Sequence, residues 1–142
     1  MARTKITFPD KIHFTTKLSV RVTDLNYGNH MGNDAFVGLM QQARILMLNK
    51  FGLSELNVGE NTSLIQGDLV VTYHAEGHLN DEIEFNLAID DISNSSFDIY
   101  YQATNLNKNK LLALAKTRMV CFSYEQSKTL PVPESFRMLL ND

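Results

Sequence analysis

Residues 34–51 read DAFVGLMQQARILMLNKF, and this stretch decides the fold. Its apolar side chains recur at helical spacing, which predicts a single α-helix over these residues. The apolar stripe consists of Phe36, Leu39, Met40, Ala43, Leu46 and Met47, and it is widened by Val37, Ile45 and Leu48. A helix that is apolar around so much of its circumference is expected to be buried on most sides, so other elements must pack around it.

The segment before this helix, residues 24–34, reads DLNYGNHMGND. Two glycines and several Asn and Asp residues predict a loop with demanding backbone angles. Either Asn33 or Asp34 is the expected N-cap of the helix, because both side chains can accept a hydrogen bond from a first-turn N–H group. Gly52 is the expected C-terminal stop.

Alternating apolar and polar residues predict five strands, over residues 14–22, 64–73, 82–89, 97–103 and 111–124. A short helix is expected near Pro133. The order is strand, buried helix and then four strands, which predicts one α+β domain over residues 1–142. An antiparallel, meander-like sheet wrapped around one long buried central helix would satisfy both patterns, and this arrangement is the hotdog fold.

Composition excludes several classes of function. The net charge is −3, so the bulk charge gives no support for a nucleic-acid partner. Cys121 is the only cysteine, which excludes an intrachain disulfide and a cysteine-rich zinc site. Because it lies in an apolar run, Cys121 is expected to be a buried structural residue. No phosphate-binding, dinucleotide-binding or zinc motif is present, so neither a metal nor a cofactor is implied.

Nothing in the sequence predicts a membrane partner. The first residues, MARTK, are not followed by an apolar segment of the kind found in signal peptides. No apolar run approaches the ~20 residues that span a bilayer. A soluble, cytoplasmic protein is therefore expected.

The loop and the start of the helix resemble the signature of a known family. The residues that carry the resemblance are Arg21, Asp24, Leu25, Asn26, His30, Asn33 and Phe36, followed by QAR at 42–44 and FGL at 51–53. This pattern resembles hotdog-fold thioesterases, in particular the 4-hydroxybenzoyl-CoA and acyl-acyl-carrier-protein thioesterase branches. The resemblance extends over roughly residues 11–140. It departs from the family at Asn26, where the family has the second aspartate of its D-x-D pattern, and at Gly28, where some members have asparagine.

The resemblance implies an activity and an assembly. The substrate would be a small-molecule acyl thioester, linked to coenzyme A or to a carrier protein and hydrolysed to acid and thiol. The protein would be a homodimer, or a tetramer built from dimers, with its active sites at the subunit interface.

Hydrolysis of a thioester needs a donor for the developing oxyanion and a group that delivers water. Backbone N–H groups at a helix N-terminus can stabilise an oxyanion, and the Asn33 N–H is the candidate here. Gly32 would let the substrate approach the backbone closely. His30 is the candidate general base, or else it braces the loop by hydrogen bonding. Asn26 has no useful basicity, but it can hold a water molecule or the thioester carbonyl.

Other candidates have weaker support. Asp24 fixes the loop or takes part in catalysis, and Asp34 either caps the helix or acts as a catalytic carboxylate. Asp68, expected at the start of a strand near the helix, is a candidate carboxylate for substrate binding. Phe36 and Met40 line an acyl tunnel or are ordinary core residues.

Two alternatives remain open from sequence. The same fold also serves acyl-thioester dehydratases and hydratases, which present their histidine and acid differently along the helix. The amide at Asn26, where the resemblance leads one to expect a carboxylate, favours a non-catalytic protein that binds acyl-CoA.

Overall fold

The computed structural model describes residues 4–141. It confirms the predicted helix and five strands, most of them with small shifts of their ends, and adds a short sixth strand. The elements are β1 (Phe14–Ser19), α1 (Asn33–Lys50), β2 (Ser63–Tyr73), β3 (Glu82–Asp90), β4 (Ser96–Asn105), β5 (Lys110–Ser123), β6 (Lys128–Thr129) and α2 (Glu134–Leu140). This α+β arrangement, with one six-stranded sheet, is consistent with the hotdog fold.

The sheet is antiparallel throughout, in the order β1-β3-β4-β5-β2, with β6 paired to β5. Only β3, β4 and β5 form the meander that the sequence predicts. β2 does not lie beside β3 but crosses to the far side and pairs with β5, from Ser63 opposite Phe122 to Tyr73 opposite Ala113. The alternation of apolar and polar residues shows which side chains of a strand face the core. It does not show which strands are neighbours in the sheet, so the alternation could not predict this crossover. β1 and β2 are the two edges of the sheet.

The first strand is shorter than predicted. β1 ends at Ser19, and residues Val22–Asp24 form a single 3-10 turn instead of continuing the strand. The reason lies in Asp24, whose carboxylate accepts hydrogen bonds from the backbone N–H and the guanidinium of Arg21. These hydrogen bonds hold the backbone of this segment in a turn, whereas pairing in the sheet would require an extended backbone.

α1 buries one face and leaves the other exposed. Its buried residues include Phe36, Met40 and Met47, whereas Gln41, Gln42 and Ile45 are exposed. Burial on most sides, as the sequence predicts, is therefore not reached within one chain. No helix in the part of the chain that the structure describes is long and apolar enough to cross a membrane.

The apolar face of α1 packs on aromatic residues of the sheet. The ring of Phe36 lies 5.6 Å from the ring of Tyr73 on β2, centroid to centroid, in an edge-on arrangement. It lies 5.8 Å from the ring of Phe85 on β3 and is stacked upon it. These contacts hold the first turn of α1 against β2 and β3.

Cys121 is buried in the core, as the sequence predicts. Burial raises the pKa of its thiol to about 11. The thiol therefore stays protonated at neutral pH, and protonated thiols are poor nucleophiles. Cys121 belongs to the packing of the core rather than to a reactive site.

Candidate active site

The loop that precedes α1 is built around the side chain of Asp24. Its carboxylate accepts hydrogen bonds from the Arg21 guanidinium at 2.9 and 3.1 Å and from the Arg21 backbone N–H at 2.8 Å. The guanidinium holds the pKa of Asp24 below its usual value. The backbone carbonyl of Asp24 accepts the N–H of Gly32 at 3.0 Å, which brings the two ends of the loop together. The buried carboxylate therefore fixes the loop.

Asn26 uses its side-chain oxygen within the same loop. Oδ1 accepts the backbone N–H of Gly28 at 2.8 Å, and the Asn26 N–H donates to the carbonyl of His30 at 2.9 Å. The loop does need one demanding backbone angle, but a glycine does not supply it. Asn29 adopts a left-handed φ of 62°, as asparagine tolerates more readily than most residues.

The N-cap of α1 is Gly32, and the prediction of Asn33 or Asp34 is wrong. Gly32 has extended backbone angles, φ −70° and ψ 154°, and both following residues are already helical. The hydrogen bond from the Gly32 N–H to Asp24 holds it in place. Because glycine has no side chain, no side-chain hydrogen bond caps the helix. The N–H groups of the first turn have no partner inside the helix and face outward from its end.

A cleft of about 180 Å³ opens at this end of the helix. One wall comes from the loop and α1 and the other from the ends of β2 and β5. The lining residues are His30, Met31, Gly32, Asn33 and Phe36 on the first wall and Tyr73, Ala75, Glu76, Gly77 and Leu112 on the second. The structure thus brings together four of the predicted site residues, namely His30, Gly32, Asn33 and Phe36.

The two walls are tied to each other by hydrogen bonds. The Met31 N–H donates to the carbonyl of Gly77 at 2.7 Å. The hydroxyl of Tyr73 donates to the carbonyl of Asn33 at 3.1 Å. Burial raises the pKa of Tyr73, and the nearby negative charge of Asp34 adds to the effect. The phenol therefore stays protonated as a donor at neutral pH.

Glu76 contributes a carboxylate that the sequence does not predict. It lies just beyond the end of β2, and its Oε1 atom is 4.0 Å from Nε2 of His30. Its other carboxylate oxygen is 3.9 Å from Nε2 of His78. Among the described residues that line the cleft, Glu76 is the only one with an acidic side chain. No local sequence pattern predicts that residues 30 and 76 are close, because it is the path of β2 across the sheet that brings them together.

The remaining predicted residues lie outside the cleft. Asp24 and Asn26 support the loop behind it, and Asp34 is exposed in the first turn of α1, where the helix dipole favours a negative charge. Met40 lines a separate cavity of about 290 Å³ beside Arg44 and Leu69.

The expected position of Asp68 is wrong. It lies in the middle of β2, not at the start of a strand, and it is exposed at a bulge in the register. Its Oδ1 accepts the backbone N–H of Arg118 at 3.0 Å. One oxygen of this carboxylate thus supports the β5 backbone away from the cleft, and a role of Asp68 in substrate binding stays a prediction.

Residues 20–140 match the model of a protein family, the thioesterase-like superfamily. The chain belongs to this family. The resemblance to hotdog-fold thioesterases that the loop carries is thereby confirmed. No curated protein matches the chain.

Several solved structures share the fold. A 1,4-dihydroxy-2-naphthoyl-CoA thioesterase from Synechocystis is 25% identical, over 91% of this chain and 96% of that one, with a TM-score of 0.81. A hypothetical protein from Staphylococcus aureus, solved in complex with CoA, is 19% identical, over 96% of this chain and 86% of that one, also with a TM-score of 0.81. At 19% identity, the second likeness concerns the fold alone.

Proposed function

We propose that this protein hydrolyses an acyl thioester of coenzyme A in the cleft at the N-terminus of α1. One observation carries the proposal: the helix begins at a glycine without a side-chain cap, directly beside His30. Unpaired N–H groups at the positive end of a helix dipole suit a developing oxyanion. Membership of the thioesterase-like superfamily supports thioester hydrolysis as the reaction.

The chemistry follows from these groups. The thioester oxygen accepts the N–H of Asn33, and His30 takes a proton from a water molecule as the water oxygen attacks the carbonyl carbon. The electrons of the C=O bond move to the oxygen and return as the C–S bond breaks. The thiolate takes the proton from the imidazolium, which leaves a free thiol and a carboxylic acid that ionises in water.

Coenzyme A is the proposed carrier, on the strength of two structural relatives. The Synechocystis protein is named for a CoA thioester, and the Staphylococcus protein was solved with CoA.

A homodimer would complete the site. A cleft of about 180 Å³ is small beside the ~300–1,000 Å³ typical of ligand pockets, so one chain encloses only part of an acyl thioester. β2 forms an edge of the sheet over 11 residues, and one face of α1 is exposed. Pairing of two β2 edges would bury both features and place each cleft near the partner. Sedimentation analysis should then give twice the mass of the chain, and a monomer at micromolar concentration would contradict this part of the proposal.

Release of free thiol from a panel of acyl-CoAs tests the activity. Wild-type protein should hydrolyse at least one of them, and His30→Ala should lower kcat by more than tenfold while the unfolding transition stays unchanged. His74→Ala is the matched control, because His74 is an exposed histidine outside the cleft. Equal turnover by wild type and His30→Ala would remove His30 from the mechanism.

The same assay separates the alternative functions. If coenzyme A binds but no thioester is cleaved, the protein is an acyl-CoA binder, as the amide at Asn26 would favour. If an enoyl-CoA is hydrated instead, the protein is a hydratase. Either result would contradict the proposed hydrolysis.

A further inference from the structure

His30 lies in the cleft, but the loop before α1 supplies no carboxylate to pair with it. Asn26 is an amide, and its Oδ1 is occupied by the Gly28 N–H. The carboxylate of Asp24 is held by Arg21 behind the loop. Asp68 is bound to the β5 backbone. A histidine that accepts a proton from water works best when a carboxylate orients the ring and stabilises the imidazolium that forms.

We infer that Glu76 is this carboxylate, a positioning residue that pairs with His30 during hydrolysis. The inference rests on the proposed thioesterase function and deepens it. The Oε1 atom of Glu76 lies 4.0 Å from Nε2 of His30 across the mouth of the cleft. A small rotation of either side chain closes this gap to a hydrogen bond. Nε2 then donates to Glu76, which leaves Nδ1 as the nitrogen that accepts the proton of the attacking water.

The backbone around Glu76 is held firmly enough for this task. The neighbouring Gly77 carbonyl accepts the Met31 N–H at 2.7 Å, so Glu76 is tied to the residue that follows His30. On its other side, the Ala75 N–H donates to the Leu112 carbonyl on β5 at 3.2 Å. The Glu76 side chain therefore turns on a backbone that is fixed on both sides.

Burial by the substrate would strengthen the pair. Glu76 and His30 are 61% and 37% exposed in their side chains, so water screens their attraction in the free protein. A thioester that covers the cleft displaces this water, and the interaction of opposite charges grows as the local dielectric constant falls. The pair therefore acts when the imidazolium forms, in the covered site.

His78 is the competing partner of Glu76. Its Nε2 atom lies 3.9 Å from the Glu76 carboxylate, but its Nδ1 atom faces Asp81 at 4.0 Å and also contacts Lys108. His78 does not line the cleft. If Glu76 acted through His78 instead, His78→Gln would reproduce the effect of removing Glu76.

Kinetics of four substitutions test the inference. Glu76→Gln should lower kcat by about 10-fold or more with KM changed less than about threefold, because charge stabilisation is lost in the transition state. Glu76→Asp, which keeps the charge, should recover a substantial part of that loss. Glu125→Gln removes an exposed carboxylate in the turn after β5 and should leave kcat unchanged. Wild-type kcat in Glu76→Gln, or an equal loss in His78→Gln, would overturn the inference.

NMR spectroscopy tests the hydrogen bond between Glu76 and His30 independently of catalysis. A ring N–H of His30 that is hydrogen-bonded to a carboxylate should give a downfield proton resonance in ¹⁵N-labelled protein saturated with coenzyme A. This resonance should be lost in Glu76→Ala and kept in Glu125→Ala. Its absence from wild type would sink the Glu76–His30 pair, whereas failure of wild type to release thiol from any acyl-CoA would sink the proposed function.

Discussion

The guanidinium of Arg44 on α1 donates a hydrogen bond of 3.0 Å to the hydroxyl of Tyr101 on β4, deep in the core. The same hydroxyl lies 2.9 Å from Oγ1 of Thr117 on β5. Nε of Arg44 lies 3.5 Å from a carboxylate oxygen of Glu55, which balances the buried charge. The phenol of Tyr101 thus joins α1 to two strands, and its loss would remove both of these buried hydrogen bonds.

We therefore expect Tyr101→Phe to lower the free energy of unfolding by about 1–3 kcal/mol, since it removes one hydrogen bond from a buried guanidinium and one from a buried hydroxyl. Urea denaturation of both proteins measures the difference. Tyr100→Phe is the matched control, because the Tyr100 hydroxyl bonds Asp91 where water can replace it. Equal decreases in the free energy of unfolding of the two variants would mean that the buried hydrogen bond to Arg44 adds no extra stability.

Gly32→Ala should abolish most of the activity and spare the fold. Gly32 has φ −70°, an angle open to alanine. An added Cβ would lie 2.6 Å from Oδ1 of Asp34, so that carboxylate must move at the end of the helix, where the thioester is proposed to bind. We expect kcat/KM to fall by about 10-fold or more.

Gly38→Ala supplies the matched comparison, since nothing lies within 4 Å of an added Cβ there. Inside a helix, alanine should stabilise the protein by about 0.5–1 kcal/mol. Retained activity in Gly32→Ala would show that the substrate does not approach this point of the backbone.

Asp24 should make the fold acid-sensitive. Its pKa is lowered in the folded protein by Arg21, so its ionised form stabilises the fold above the unfolded value near 3.9. This contribution is lost as the pH falls through the lowered, folded-state value. Asp24→Asn should cost about 1–2 kcal/mol at pH 7 and progressively less below pH 4. A stability difference that stays constant down to pH 2 would contradict the pairing with Arg21.

His13 should also make the folded protein less stable as the pH falls, but at higher pH values than Asp24 does. Its Nδ1 accepts the Ile89 N–H at 3.0 Å, and burial together with the positive charge of Lys11 lowers its pKa. The unfolded chain therefore binds the proton more readily, so the stabilisation is complete above about pH 6.5 and is lost as the pH falls through the folded-state value. The stability advantage of wild type over His13→Ala should be on the order of 1 kcal/mol at pH 8 and shrink towards pH 5. An advantage that grows on acidification would contradict this.

The sequence predicted those features of the fold that depend on neighbouring residues. Periodicity located α1 and the strands, because apolar spacing follows directly from helix and strand geometry. The crossover of β2 and the early end of β1 were missed. One depends on pairing between distant strands and the other on a side chain that closes a turn.

The site was predicted from sequence only on one wall. His30, Gly32 and Asn33 lie within one loop and its helix, so their spacing alone brings them together. Glu76 reaches the same cleft from the end of β2, which alternation cannot position against the loop. The cap was misjudged because Asn33 and Asp34 have the side chains that usually cap, whereas the hydrogen bond between Gly32 and Asp24 determines where the helix begins.

The two edge strands of the sheet differ in length, and this difference affects whether the protein polymerises at high concentration. Open-ended fibre growth requires two receptive edges on every subunit. β2 offers 11 residues, but β1 offers only six, with exposed Thr15, Lys17 and Ser19 along it. If two copies pair through β2 as proposed, little remains to recruit a further copy. We therefore expect the protein to stay in solution at high concentration instead of polymerising.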